Sequence, residues 1–173
     1  MCNLLYIKMS ASLPILKCRI KSNEENLNEL NTNYKWIPNE SMFRPTDAIR
    51  QNKNVEIIQI ENDAIKYPNG MVDYIYETVF KSDIRDPLSE RGAKLFNKIV
   101  FEPNKYPYQT KGKHYVLWFG SQNQEYSDEC ITDIINKKLN TINTNNNYDF
   151  VWYKNPKMSV PKFFHVQVFW IKI

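Results

Sequence analysis

The chain has 173 residues, 42% hydrophobic and 14% aromatic, with 23 basic against 19 acidic side chains. A chain of this length fits one domain and buries about 70% of its unfolded surface, so it needs no disulfide or metal staple. The formal net charge of +4 suits phosphate-bearing ligands but excludes the concentrated basic excess of a dedicated nucleic-acid binder.

Cysteines occur at 2, 18 and 130, an odd count with no C-x-x-C pair. A disulfide framework and structural zinc both fit poorly, and a reducing, cytoplasmic setting fits best. No apolar run reaches the ~18 residues of a membrane span. Abundant Asn, Lys and Ile with only four Gly read as codon bias from an AT-rich genome, as in many giant viruses and protists.

The opening "MCNLLYIKMSASLPILKCRI" lacks a basic n-region, and Lys8 interrupts its apolar run. It reads as a strand and not as a signal peptide, with Met9 as an alternative start to Met1. The polar stretch Ser22 to Asn33 opens an irregular segment, 22–45. Within it, Ile37 before Pro38 marks an extended turn. "TDAIRQN" predicts a short helix capped by Thr46, and "VEIIQI", Val55 to Ile60, is β-branched and predicts a strand.

Met71, Tyr74, Ile75 and Val79 recur at helical spacing after the Asn69-Gly70 turn, which predicts an amphipathic helix over Gly70 to Lys81. Its neighbours Asp73, Glu77, Asp83 and Asp86 read as a solvated acidic face. "DPLSERGAKLF" predicts a second helix, with Pro87 in its first turn. "NKIVFE" is a strand, "NKYPYQTKGK" a loop and "HYVLWFG", His114 to Gly120, a strong strand. "SDECITDIINKKLNTI" is the clearest helix: Ser127 is its N-cap, Asp128 and Glu129 sit in its first turn, and Ile131, Ile134, Ile135 and Leu139 form its apolar stripe. Cys130, beside Ile131, is expected in the core. "DFVWYK" and "KFFHVQVFWIK" are strands around "NPKMSVP". The expected fold is α+β: a single domain over 1–173 with a mainly antiparallel sheet and helices packed on it.

Strand alternation divides the last strand into two faces. Phe164, Val166, Val168 and Trp170 form an apolar face. Phe163, His165, Gln167, Phe169 and Ile171 form the other. His114, Val116 and Trp118 share a face of the earlier strand. In one sheet, the two histidines open onto a common surface, where imidazole acts as acceptor, base or nucleophile near neutral pH. The commoner role of a strand histidine is a hydrogen bond to a neighbour within the fold. Lys105, Lys111 and Lys113 precede His114, and Lys154, Lys157 and Lys162 surround the second loop. Such lysines suit phosphate, although loop lysines are as often simply solvated. Tyr106, Tyr108, Trp152 and Tyr153 offer rings for stacking. The chain has no glycine-rich phosphate loop and no G-x-S-x-G, and no motif calls for a cofactor or a metal.

"YPNGMVDYIYETVF", "EPNKYPYQTKGKHYVLWF" and "FVWYKNPKMSVPKFFHVQVF" together resemble the ordered blocks of the fungal N-acetylglucosamine-induced protein 1 family, a domain family of unknown function. The second block is Asn104, Tyr106, Pro107, Tyr108, His114, Leu117 and Trp118. The third is Trp152, Lys154, Asn155, Ser159, His165 and Gln167. The likeness runs from Tyr67 to Ile171, a family-like core over 67–173. "MSVPKFFHVQVF" is also distantly similar to the signature of histidine-triad nucleotide hydrolases and transferases, with Phe163 at the first histidine position, His165 at the nucleophilic middle one and Gln167 at the third. That resemblance implies a HIT-like, nucleotide-shaped pocket in which the middle imidazole attacks an α-phosphate.

Three functional readings follow. The first is a pocket for a phosphorylated small ligand, a nucleotide or nucleotide-sugar, with phosphoryl or nucleotidyl transfer through His165 as its catalytic form. His165 and His114 are its catalytic candidates, and Gln167, Tyr106, Tyr108, Lys113, Trp118, Trp152, Lys154, Asn155 and Ser159 its ligand contacts. The second is RNA or cap-like nucleotide binding on tryptophan platforms at 36, 118, 152 and 170. The third is a viral structural or protein-interaction domain in which these residues are core.

Overall fold

The computed structural model describes residues 45–82, 98–108, 112–120, 126–143, 147–154, 158 and 160–172. The expected N-terminal strand, the segment around Trp36, and the helix over Asp86 to Phe96 lie outside the described residues.

Helix α1 spans Asp47–Asn62. The Thr46 hydroxyl accepts the Ile49 N–H at 3.3 Å, the expected N-cap. The helix does not stop where expected. Val55 to Ile60, read from the sequence as a strand, is its second half. Ile49, Lys53, Glu56, Ile57 and Ile60 recur at helical spacing and form the inward side. The β-branched Val55 and Ile58, which suggested a strand, are 53% and 59% exposed. Propensity gave way to a register that the Thr46 cap started.

Helix α2, Met71–Thr78, follows a turn through Pro68 and Gly70. Gly70 has φ +55 and brings no capping side chain. Glu61 of α1 does the capping instead, its carboxylate accepting the Met71 N–H at 3.0 Å. A Cβ at residue 70 would collide with that carboxylate, and the positive φ disfavours one as well. Asp73 accepts the Asn69 N–H at 2.8 Å and steadies the same turn. Glu77 accepts the Tyr67 hydroxyl at 2.6 Å.

Strands β1, Ile99–Pro103, and β2, His114 with its neighbours over Lys113–Phe119, precede helix α3, Asp128–Ile142. Strands β3, Tyr148–Lys154, and β4, His165–Lys172, complete the fold. The four form one antiparallel sheet in the order β1-β2-β4-β3. The architecture is thus α+β with an antiparallel sheet, as the strand–strand–helix–strand–strand reading required.

Helix α3 covers one face. Its Ile131, Ile135 and Leu139 pack on Leu117, Phe119, Phe150, Trp152, Val166, Val168 and Trp170. Ser127 caps it by accepting the Cys130 N–H at 3.3 Å. Cys130 itself is exposed and not part of the core, because the buried stripe begins one residue later, at Ile131. The α1–α2 pair covers the other face, where Ile75 and Val79 of α2 pack with Phe80, Val160 and Phe163 beside Val100 and Trp118. Among the described residues no helix is long and apolar enough to cross a membrane, and no cluster of side chains has the makings of a metal site.

Ile135 is fully buried at the centre of the α3 contact. Ile135→Ala should therefore cost about 2–5 kcal/mol. Urea denaturation should show a lower midpoint at an unchanged m-value.

Candidate functional site

The register settles which side chains meet. His114 lies opposite Phe169, Val116 opposite Gln167, and Trp118 opposite His165. Directly paired residues project to the same face, so both histidines stand on the α1–α2 side of the sheet. Two apolar clusters bound this face: α2 with Trp118 and Phe163 at one end, and Val151, Tyr153, Phe169 and Tyr108 at the other. Between them runs a polar belt of His114, His165 and Gln167 around Val116. All four are buried, with exposures of 5%, 4%, 6% and 5%.

The segment Asn104 to Tyr108 orients this belt. The Tyr108 backbone N–H donates to His114 Nδ1 at 3.1 Å. Nδ1 therefore carries a lone pair, and the neutral ring keeps its proton on Nε2. Nε2–H donates to Gln167 Oε1 at 2.6 Å. The Tyr106 N–H donates to Asn104 Oδ1 at 2.8 Å, which turns the Asn104 amide so that its Nδ2 donates to the same Gln167 oxygen at 3.0 Å. Two backbone amides thus fix one tautomer and two amide orientations. Both ring nitrogens of His114 are committed, and its ring stacks on Phe169 at 4.2 Å. Burial pushes its pKa down to about 4 against the opposing bond to Gln167. His114 is a neutral ring that aims Gln167, with both nitrogens hydrogen-bonded within the fold.

His165 is arranged in the opposite sense. Its Nδ1–H donates to the Phe163 carbonyl at 2.8 Å, which leaves the lone pair on Nε2. The ring lies 4.4 Å from Trp118, centroid to centroid. Burial lowers its pKa, against the Phe163 hydrogen bond and with the help of the nearby Lys53 charge. Nε2 is thus an unprotonated acceptor at neutral pH. The Gln167 side chain takes both of its described bonds on its oxygen, which turns the amide N–H2 the other way.

Above the belt, Tyr106 joins a cluster on α1. Glu56 accepts from Tyr74 at 2.9 Å and also from Tyr106 and Lys105, while Lys105 contacts the Tyr74 hydroxyl at 2.8 Å. Burial opposes the Glu56 charge, but these three donors outweigh it and lower the carboxyl pKa. Burial opposes the Lys105 charge too, and the bonds to Glu56 and Tyr74 overcome it, so the ammonium is held protonated.

Other expected contacts lie elsewhere. Lys113 sits opposite Trp170 and Lys154 opposite Val166, which places both on the α3 side of the sheet. The Lys113 ammonium rests over the Trp170 ring at 4.6 Å, and Lys154 pairs with Asp128 at 3.1 Å. Trp152 is on that side as well, 3% exposed, its indole N–H donating to Thr132 at 3.0 Å. None of the three shares the belt. Trp170 is equally buried and presents no face to a base. Asn155, Ser159, Lys111 and Lys157 lie outside the described residues, and Lys162 is exposed. The motif residues Asn104, Tyr106, Tyr108, His114, Trp118, His165 and Gln167 do converge. Lys53 and Glu56 of α1 join them, and sequence reasoning missed both, because a helix far off in sequence carried no motif to mark it. No protein-family profile, curated protein or solved structure matches the chain.

The two histidines should be opposite tautomers in long-range proton–nitrogen NMR, His114 protonated at Nε2 and His165 at Nδ1. His114 should also take up a second proton only near pH 4. In the unfolded chain that proton binds near pH 6.5. Between these values the unfolded state binds more protons, so stability is fully present above pH 6.5 and falls as the pH drops towards 4. The His114 contribution is about 3 kcal/mol. A ring that titrates at its ordinary value would refute the buried, neutral assignment.

Proposed function

We propose that the protein binds a phosphorylated small molecule, a nucleotide or nucleotide-sugar, on the helix-covered face of the sheet, with Gln167 and His165 as direct contacts. One observation carries this reading. The Gln167 amide and the His165 imidazole, both buried residues, are held in fixed orientation on one face of the sheet, Gln167 through its oxygen and His165 through Nδ1. A donor and an acceptor oriented in advance suit a polar ligand, since no reorganisation is left to perform when it arrives. One ligand can bond to both groups. A phosphoryl oxygen accepts from the Gln167 amide, and a ligand hydroxyl donates to His165 Nε2.

The neutral state of His165 matters, because a protonated imidazole offers no lone pair. The same lone pair stands where the histidine-triad resemblance places a nucleophile. In transfer chemistry Nε2 would attack phosphorus, break its bond to the leaving-group oxygen and release that group, leaving an acid-labile N–P adduct, whereas simple binding leaves none, so intact-mass measurement at neutral and acidic pH separates the two. A reducing, cytoplasmic setting, argued from the odd cysteine count, suits ligands of this class.

A thermal-shift panel of nucleotides, sugar phosphates and nucleotide-sugars tests the reading. A binder at 100 times its Kd stabilises the fold by ~2.7 kcal/mol, a clear rise in Tm. The rise should vanish in His165→Ala and Gln167→Ala. Ligand shifts that persist undiminished in both variants would show that the belt is not the site.

A protein-interaction role is the second reading, favoured by the exposed Val55 and Ile58 on the outer side of α1. Polar substitutions there leave small-molecule binding intact under the first reading.

A further inference from the structure

The Gln167 amide points as it does because of two backbone amides in one short segment, and it has an alternative. As the belt stands, His114 donates from Nε2 to Gln167 Oε1. The Asn104 Nδ2 that donates to the same oxygen at 3.0 Å also lies 3.1 Å from His114 Nε2. Two donors face each other across that second contact. With the ring proton on Nδ1, Nε2 becomes an acceptor, and a rotated Gln167 amide donates to it. Gln167 then shows its oxygen to a ligand and not its N–H2. The Tyr108 N–H opposes this state, since at 3.1 Å from Nδ1 it would meet a second donor. The Tyr106 N–H opposes it too, since it holds Asn104 Oδ1 and keeps Nδ2 turned towards Gln167.

Both amides belong to the segment Asn104 to Tyr108, and Glu56 of α1 grips that segment at two consecutive side chains. Its carboxylate accepts from the Lys105 ammonium and from the Tyr106 hydroxyl. A third bond, from the Tyr74 hydroxyl at 2.9 Å, ties the same carboxylate to α2, which Ile75 and Val79 anchor in the core. Helix α1 itself turns Ile49, Ile57 and Ile60 inward beside Glu56, so the carboxylate stands on a fixed post. Hydrogen bonds to an ionised acceptor are about twice as strong as neutral ones. Glu56→Gln keeps the shape of the side chain and gives up that charge.

We propose that Glu56 is a positioning residue of the belt: its grip on Lys105 and Tyr106 keeps His114 in the Nε2–H tautomer and so makes Gln167 a donor towards a ligand. The tautomer is a property of the free protein. The consequence, a preference for phosphoryl oxygens as acceptors, rests on the phosphorylated-ligand reading above. When the grip is loosened, the two backbone amides draw back, His114 gives up its Nε2 proton to water and takes one at Nδ1, and Gln167 rotates. The ring stays neutral throughout, and a site that reads acceptors becomes one that reads donors.

The test reads the His114 tautomer in the full chain by long-range proton–nitrogen NMR. The native ring should be wholly Nε2-protonated. Glu56→Gln and Tyr106→Phe should each give a mixture of the two tautomers, and the double variant should shift no further than either single one, as expected of two links in one chain. His165, whose Nδ1–H bonds to the Phe163 carbonyl, should keep its tautomer in every variant and serves as the internal control. AMP and glucose 6-phosphate should bind Glu56→Gln roughly tenfold more weakly, the loss of about one hydrogen bond. A purely structural Glu56 would lower the Tm and nothing else. A ring that stays wholly Nε2-protonated in Glu56→Gln therefore overturns the proposal whatever the Tm, and leaves control with the Tyr108 ring, which packs on His114 and Phe169. A mixture in Glu56→Gln that Tyr106→Phe does not reproduce overturns the route through the segment. A mixture with undiminished binding of the phosphorylated probes overturns the link to ligand preference. If the tautomers shift as expected but the native chain binds neither probe, the ligand reading fails and the positioning role of Glu56 stands.

Discussion

The polar side of this fold depends on one hydrogen bond, from the Tyr108 backbone N–H to His114 Nδ1. A neutral imidazole has one donor and one acceptor, and which nitrogen plays which part is set by its neighbours. Once the backbone claims Nδ1 as acceptor, Nε2 must donate. Gln167 must then show its oxygen to His114, and its amide hydrogens must point into the belt. Pro107, between Tyr106 and Tyr108, restricts the chain at this turn, so the donor that starts the sequence of orientations is itself held in place. A fixed, water-poor dipole is what a binding site requires, since no reorganisation is left to perform when a ligand arrives.

The two faces of the sheet divide the work. On the α3 side the side chains are almost all apolar and interlock; the Trp152 indole finds a partner in Thr132, while the buried Trp170 Nε1 has none among the described residues. This side accounts for the stability of the sheet. Opposite, the belt interrupts what would otherwise be a continuous apolar surface from α2 to Tyr153. Burying imidazole and amide groups there costs free energy that a Leu or a Val would not. The penalty is confined to one face and offset by the other, a common way to combine a firm scaffold with a polar site.

How much of this was legible in the sequence varies with the range of the interaction involved. Alternation alone placed His165 with Gln167 and His114 with Trp118, because a period of two is a local property of a strand. The Ser127 cap and the α3 stripe were equally local. Strand parity also held information that proximity reasoning passed over: Lys113 has the parity of Tyr115 and Leu117, so it had to point away from His114. For Trp152, parity was not enough, since which side of β3 faces α3 depends on its register with β4. The long α1 was hidden by the β-branched run at Val55, Ile57, Ile58 and Ile60, in which the exposed Val55 and Ile58 blur the inward spacing of Ile57 and Ile60. Lys53 and Glu56 were out of reach for a stronger reason. They meet residues about fifty positions away, Glu56 at Lys105 and Tyr106 and Lys53 at the Tyr106 ring, and a single sequence records no such pairing.

The two helices on this face are held by different means. Helix α2 sinks Ile75 and Val79 into the cluster with Phe163 and Trp118, so lifting it would expose apolar surface and break into the core. Helix α1 mixes its contacts: Ile49, Ile57 and Ile60 share its inward side with Lys53 and Glu56. Burial alone would push the Glu56 carboxyl towards its neutral form, and the donors at Tyr74, Tyr106 and Lys105 keep it charged instead. That carboxylate in turn holds Lys105 and Tyr106, the start of the segment whose Tyr108 N–H fixes the His114 tautomer. A single charge on α1 thus bears on the orientation of the belt, through a contact that an apolar side chain at residue 56 could not make.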